Sequence, residues 1–151
     1  MNRSLYFIAS FFILILWSSC RQDFEFTPST GTLSFSKDTV YLDTVFSNIG
    51  SSTYTLKVYN NSDNDILIPS LKLSQGQTSK YRMNVDGMIG TGTLIGKEFA
   101  NVELLAKDSM FVFIETTIDI QPLVTNETQF LYTDAIEFGT GSNTQKVELV
   151  T

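Results

Sequence analysis

Paired carboxylates are the catalytic option that this composition leaves, since its 151 residues include 16 Asp and Glu and no His. The absence of His excludes Ser–His and Cys–His nucleophiles and imidazole-bound zinc or haem. Glu115 and Asp119, acting with Glu103, are the catalytic arrangement that this composition leaves open. Glu115 and Asp119 fall on the polar face of a predicted strand, where carboxylates are ordinarily solvated. We therefore expect no enzyme, no metal site and no cofactor.

Two short segments have residue types that are typical of ion binding. Asn60–Asp65 places side-chain oxygens at alternate positions, as calcium loops do, but it lacks the spaced Gly and the terminal Glu of an EF-hand. Four glycines lie within Gly87–Gly96, but a phosphate-binding loop needs a helix N-terminus directly after it, and Lys97–Leu105 shows no helix start. We interpret the first segment as a solvated hairpin turn. The second is interpreted as a mobile surface loop, suited to be a contact site.

The single cysteine, Cys20, follows a segment that is typical of a signal peptide. After Arg3, the 13 residues Leu5–Trp17 are apolar apart from Ser10; they span about 20 Å as a helix, less than the ~30 Å hydrocarbon core of a bilayer. A signal peptide is therefore favoured over a spanning helix. The residues directly before Cys20 resemble the lipobox of bacterial lipoproteins, which implies acylation of Cys20 and a membrane anchor. The alternative is an ordinary signal peptide cut at Ser18 or Ser19, with Cys20 incidental.

The charge balance argues against nucleic acid as a partner. The chain has a formal net charge of −6, and removal of Met1–Ser19 leaves 9 basic and 16 acidic residues. Such an acidic surface repels phosphate backbones. Arg21–Glu25 contains two acids, a partial match to the acidic stretch that directs Bacteroidota lipoproteins to the outer face. We therefore predict a protein that is lipid-anchored in the outer membrane, on its periplasmic or cell-surface face, with residues 20–31 as the acylated Cys and a tether.

From residue 32 onward the hydrophobic pattern has a period of two, which indicates strands. Met110–Ile118 is the longest alternating run, and Phe111 and Phe113 make its second face apolar at the start, which predicts a central strand covered on both faces in its first half. Beyond Pro69 the alternation changes phase, which predicts a bulge or a sheet edge. Short strands at roughly ten-residue spacing are typical of a sandwich. We predict an all-β chain, an immunoglobulin-like antiparallel β-sandwich of about seven or eight strands over residues 32–151, preceded by a signal peptide over residues 1–19. The alternating apolar residues, which are predicted to face inward, are Leu33, Phe35, Val40, Leu42, Tyr54, Leu56, Val58, Ile66, Ile68, Leu71, Leu73, Tyr81, Met83, Val85, Met110, Val112, Ile114, Ile118, Phe130, Tyr132, Ile136, Phe138, Val147 and Leu149.

Several strand and turn signatures resemble one family of proteins. Leu33–Phe46 and Leu56–Asn60, with the later pieces Tyr81–Gly87 and Leu105–Phe113, are similar to the N-terminal region of large Bacteroidota lipoproteins. In those proteins an immunoglobulin-like domain of the ASPM–SPD-2–Hydin and major sperm protein type precedes a right-handed parallel β-helix. The resemblance implies that fold and an extracytoplasmic location. It also implies that this chain is a fragment of such a protein, a truncated gene product or a stand-alone domain.

Three hydroxyl side chains are candidates for O-glycosylation. Thr39, Thr44 and Ser109 each follow an Asp and precede Val or Met, which resembles the Asp-(Ser/Thr)-aliphatic acceptor of Bacteroidota. Asp-Thr and Asp-Ser are also ordinary strand-entry and turn dipeptides, whose side chains bond the local backbone. Both interpretations stay open at this stage. Ser109, at a predicted turn before the long strand, is expected to be the most accessible of the three.

These patterns predict a non-catalytic cell-envelope domain that acts as a spacer or interaction module and contacts a glycan or an envelope protein. The alternative is a stand-alone carbohydrate-binding or adhesive surface module. An exposed aromatic strip on one sheet face would favour the alternative, and a buried aromatic set would favour the spacer. Core packing is expected for the Phe residues Phe35, Phe46, Phe113, Phe130 and Phe138.

Overall fold

The computed structural model of the chain describes residues 24–30, 33–46, 48–118, 131–141 and 143–151. The predicted leader with Cys20, and the candidate residues Asp119 and Phe130, lie outside the described residues. The described part of the chain has no helix that is long and apolar enough to cross a membrane.

Short strands and one 3₁₀ turn make up the regular structure of the described residues. The strands are β1 (Thr27–Pro28), β2 (Leu33–Phe35), β3 (Thr39–Tyr41), β4 (Tyr54–Asn60), β5 (Ile66–Leu73), β6 (Tyr81–Val85), β7 (Glu98–Leu104), β8 (Ser109–Thr116), β9 (Thr133–Thr140) and β10 (Asn143–Val150). The 3₁₀ turn spans Gly76–Thr78, between β5 and β6.

The strands form two sheets. The four-stranded sheet has the order β2-β4-β8-β6 and is antiparallel throughout. In the six-stranded sheet β5 pairs with β7 along one edge and with β1 and β9 along the other, and β9 continues to β10 and β3. The chain crosses from one sheet to the other between β2 and β3, since β2 pairs with β4 whereas β3 runs parallel to β10. This arrangement confirms the predicted immunoglobulin-like β-sandwich.

The core lies between the sheets and consists of the residues that the period-two pattern turned inward, together with Phe99, Val102 and Leu104 of β7. Tyr81, Phe138 and Ile114 are completely buried, and Phe35 packs against Phe138 with ring centroids 4.8 Å apart. Burying a large side chain of this kind stabilises the fold by about 1.5–3 kcal/mol. The other predicted inward residues that the structure describes are buried or packed against the core as well.

The strand count exceeds the predicted seven or eight for two reasons. The N-terminal part is split into β1, β2 and β3, and Thr27–Pro28 of the predicted tether pairs with Ile66–Leu67. The strand β7 was missed because Ala100 and Asn101 both face solvent, which breaks the alternation. Asn101 has φ 53°, in the left-handed region that Asn tolerates better than most residues.

The phase change at Pro69 has a structural cause in the neighbouring strands. Asn101 of β7 lies opposite Pro69, because Ile68 pairs with Val102 and Ser70 pairs with Ala100. On its other edge β5 changes partner at this point, from β1 to β9. A proline, which has no N–H to donate, fits such a break in the ladder.

Candidate functional site

The outer face of β8 carries two exposed aromatic rings. Met110, Val112 and Ile114 point into the core, so Phe111 and Phe113 point outward, with 42% and 38% of their surface exposed. The prediction that this strand is central is confirmed, since β8 lies between β4 and β6. The prediction that both faces are covered is wrong.

The assignment of Phe113 to the core is therefore wrong, and so is that of Phe46, which is 76% exposed beyond the end of β3. Both faces of the first half of β8 are apolar in sequence, so the pattern did not show which one meets the other sheet. The placement of Phe35 and Phe138 in the core is confirmed.

Strand pairing brings β4 side chains beside these rings. Lys57 lies opposite Phe111, and Tyr59 lies opposite Ser109. The Lys57 ammonium is 5.3 Å from the centroid of the Phe111 ring and 5.2 Å from that of Tyr59. The rings of Phe111 and Phe113 are nearly parallel, with centroids 6.1 Å apart. Tyr59, Lys57, Phe111 and Phe113 thus form one continuous surface, which we call the aromatic strip.

A cation over an aromatic face is attracted by the quadrupole of the ring, by about 0.5–1 kcal/mol at an exposed site. Lys57 has two such contacts, and among the described residues it forms no ion pair with a carboxylate. Its ammonium therefore keeps donor capacity for an external acceptor. Lys57 and Tyr59 were not recognised from the sequence, because their position beside Phe111 depends on the pairing register of β4 with β8.

One border of the strip is an ion pair that involves a candidate catalytic residue. The Arg82 guanidinium donates to Glu115, with 2.8 Å between Nη2 and Oε2, and the Thr53 hydroxyl donates to Oε1 at 2.6 Å. These contacts, the Thr53 hydrogen bond first, hold the pKa of Glu115 below its usual value. Glu115 is thus kept ionised, and Glu103 lies on β7 in the other sheet. The structure does not bring the two carboxylates together.

The three predicted glycosylation candidates occupy different surroundings. Thr39 is half-buried on β3 and pairs with Glu148. Thr44 is exposed, and its backbone N–H donates to its neighbour Asp43 at 2.8 Å. Ser109 is half-buried on the outer face of β8, next to the aromatic strip. The expectation that Ser109 is the most accessible of the three is wrong, since Thr44 is more exposed.

Ser109 also borders a depression of about 350 Å³ at the end of the sandwich where the described chain begins. Its lining combines Phe24 and Phe26 with the carboxylate-bearing residues Asp86, Glu103 and Asp108. Within the described ranges, no group of three or more His, Cys, Asp or Glu side chains lies close enough to hold a metal ion.

The Asn60–Asp65 segment forms a turn whose oxygens are engaged within the protein. Asn60 is 2% exposed; its amide N–H groups donate to the carbonyls of Asn64 and Leu105, and its Oδ1 accepts from Ser62. Asp65 accepts from the backbone N–H of Ala106 at 2.8 Å. The segment is therefore hydrogen-bonded to the neighbouring turn, residues 105–107. The interpretation as a solvated hairpin turn is wrong, because Asn60 is buried and the segment joins β4 and β5, which lie in different sheets.

The glycine-rich segment is a hydrogen-bonded loop along the edge of β6. The Met83 N–H donates to the carbonyl of Gly96, and the Gly96 N–H donates to that of Ile89. Gly90 has φ 103°, and a Cβ there would lie 2.9 Å from the Gly96 nitrogen. The loop is followed by β7 instead of a helix, so it lacks the aligned N–H groups that a phosphate site needs.

Comparison with known proteins found similarity to solved structures, each at low sequence identity. No protein-family model matches the chain, and no curated protein matches its sequence. A PapD-like (ASH) domain of human CEP192 matches with 14% identity over 88% of this chain and 92% of its own, at a TM-score of 0.46. The E. coli chaperone DraB matches with 18% identity over 85% and 57% of the two chains, at a TM-score of 0.46. A family 123 glycoside hydrolase from Clostridium perfringens matches with 8% identity over 78% and 26%, at a TM-score of 0.46.

Proposed function

We propose that this protein is a non-catalytic module of the cell envelope that binds glycans through the aromatic strip. The observation that carries the proposal is the exposed, nearly parallel pair Phe111 and Phe113 with the Lys57 ammonium beside it. Exposed aromatic faces offer sugars an apolar surface, while neighbouring polar groups satisfy the hydroxyls. The exposed strip favours the carbohydrate-binding alternative over a pure spacer.

The size of the patch argues for a small ligand over a folded protein partner. Two Phe side chains of about 200 Å² each, 42% and 38% exposed, present roughly 160 Å². A stable protein–protein interface buries about 800 Å² on each partner. The two rings alone thus present about a fifth of the area that one side of such an interface buries, which suits a small ligand such as a few sugar units.

Binding to an array of polysaccharides tests this function. A Phe111→Ala/Phe113→Ala variant should lose binding to the glycans that the wild-type protein retains. A Tyr41→Ala/Phe46→Ala variant is the matched control, since it removes two exposed rings that lie outside the strip. Circular dichroism verifies that both variants fold. Equal binding by the two variants, or no glycan bound by the wild type, contradicts the proposal.

The location is part of the same proposal. Acylation of Cys20 would anchor the domain in the outer membrane and leave residues 21–26 before β1 as a short tether. The resemblance to lipoproteins with a right-handed β-helix supports an additional role in positioning such a module, and this role stays a prediction. Two measurements test this positioning role directly: the size of the native gene product and the DNA sequence downstream of codon 151.

We also propose that at least one of Thr39, Thr44 and Ser109 carries an O-linked glycan. The exposure of Thr44 supports modification there, and the position of Ser109 beside Tyr59 would place a glycan against the aromatic strip. Intact-mass measurement of the native protein should show hexose increments. A mass equal to that of the unmodified polypeptide, after allowance for the lipid, contradicts this proposal.

A further inference from the structure

The two sheets of the sandwich differ in charge. The strands of the four-stranded sheet carry two basic residues, Lys57 and Arg82, and a single acid, Glu115. The strands of the six-stranded sheet carry two basic and five acidic residues. The chain as a whole has a net charge of −6. The strands of the four-stranded sheet, which bears the aromatic strip, nevertheless carry more basic than acidic side chains.

The excess positive charge of these strands resides on one side chain, Lys57. Arg82 and Glu115 neutralise each other in their 2.8 Å ion pair. Lys57 is left as the cation on this sheet without a carboxylate partner among the described residues, and it lies over the rings of Tyr59 and Phe111. Its ammonium can therefore donate to a negatively charged group of a ligand that rests on the strip.

Neutral hydrogen-bonding groups surround this cation on the side of β2. Ser34 accepts from the Asn61 amide at 2.8 Å, and the Ser36 hydroxyl accepts from the backbone N–H of Lys57 at 3.0 Å. Neither β2 nor β4 contains an acid that would repel an anion. Asp86, whose backbone N–H donates to the Phe111 carbonyl at 3.0 Å, is an acid on the opposite side of β8 from Lys57. The face thus combines aromatic surface, hydroxyl and amide groups, and one uncompensated positive charge, which together match an anionic sugar.

We propose that the aromatic strip selects glycans with anionic sugar units, carboxylated or sulfated, whose charged group binds the Lys57 ammonium while the sugar ring packs on Phe111. This inference rests on the proposed glycan-binding function and specifies its ligand class. The interaction is non-covalent and is weakened by salt, because Lys57 is partly exposed to solvent.

Calorimetric titration of the full chain in detergent with matched pairs of oligosaccharides tests the selectivity. One pair is oligogalacturonate and its methyl ester, and the second is a sulfated galactan oligosaccharide and its desulfated form. Each pair keeps the sugar backbone and removes the charge. We expect the charged member of at least one pair to bind about fivefold more tightly at low salt, as for a partly exposed ion pair.

Three variants assign the selectivity to the proposed residue. Lys57→Gln should bind both members of the preferred pair equally, and Lys57→Arg should restore the preference. Lys72→Gln is the matched control, since it removes the same charge from the other sheet and should keep the preference of the wild type.

The outcomes separate this inference from the function on which it rests. Equal binding of charged and neutral members by the wild type overturns the anionic selectivity and leaves glycan binding intact. Failure of every glycan to bind overturns both. Light scattering that shows a dimer which Phe111→Ala/Phe113→Ala dissociates would assign the strip to a second copy of the chain and overturn both as well.

Discussion

Replacement of Asn60 by Ala tests whether the turn at Asn60–Asp65 is held by its own side chains. The Asn60 amide donates to the carbonyls of Asn64 and Leu105 at 2.8 and 2.9 Å, and its Oδ1 accepts from the N–H and hydroxyl of Ser62 at 3.0 and 2.7 Å. Each such bond contributes about 0.5–1.5 kcal/mol net, and buried groups left without partners add to the loss. Asn60→Ala should therefore lower the free energy of unfolding by about 2–4 kcal/mol.

Urea denaturation followed by circular dichroism measures this loss. The neighbouring Asn61 is the matched control, because its exposed amide donates to the Ser34 hydroxyl at 2.8 Å on the surface of the protein. Asn61→Ala should cost about 0.5 kcal/mol. A loss below about 1 kcal/mol for Asn60→Ala, or equal losses for both variants, refutes the reasoning. A calcium-dependent rise of the denaturation midpoint over that in EDTA, present in the wild type and absent from Asn60→Ala, would instead indicate an ion site in this segment.

Gly90→Ala should lower the free energy of unfolding by about 1–3 kcal/mol, because a Cβ there meets backbone atoms at 2.9–3.1 Å. Gly92→Ala is the control, since the space around its Cβ is open, and it should lower the free energy of unfolding by less in the same denaturation assay. Glu137 has a pKa held below its usual value, first by its hydrogen bond to Lys146, so it stabilises the fold above pH ~4.5. The stability difference between wild type and Glu137→Gln should therefore shrink as the pH falls from about 5 to 3, and a constant difference contradicts this. Cys20→Ala should abolish palmitate labelling and release the protein from the membrane fraction; a variant that keeps both refutes the anchor.

The fold was predictable because one pattern acts locally along each strand. In an antiparallel sandwich one face of a strand is buried, so the alternation of Leu56 and Val58, or of Val147 and Leu149, directly reports the inner face. The pattern failed at β7, where the left-handed Asn101 turns two successive side chains to solvent. A conformational exception at one residue was enough to hide a whole strand.

The candidate site was only partly predictable, because it depends on which strands become neighbours. Phe111 and Phe113 were visible in the sequence as an apolar second face, but Lys57 and Tyr59 lie about fifty residues away along the chain. The pairing of β4 with β8 brings them together. Nothing local to either strand specifies that register, and the choice between core and solvent for Phe113 is made by the packing of the two sheets.

The most direct test of ligand binding at the aromatic strip is an NMR titration of the protein with ring-labelled Phe, using the preferred oligosaccharide. The account predicts that the ring signals of Phe111 and Phe113 shift on binding, while those of the buried Phe99 and Phe138 stay unchanged. Shifts confined to the exposed Phe46, or no shift at any ring at saturating ligand, would contradict it.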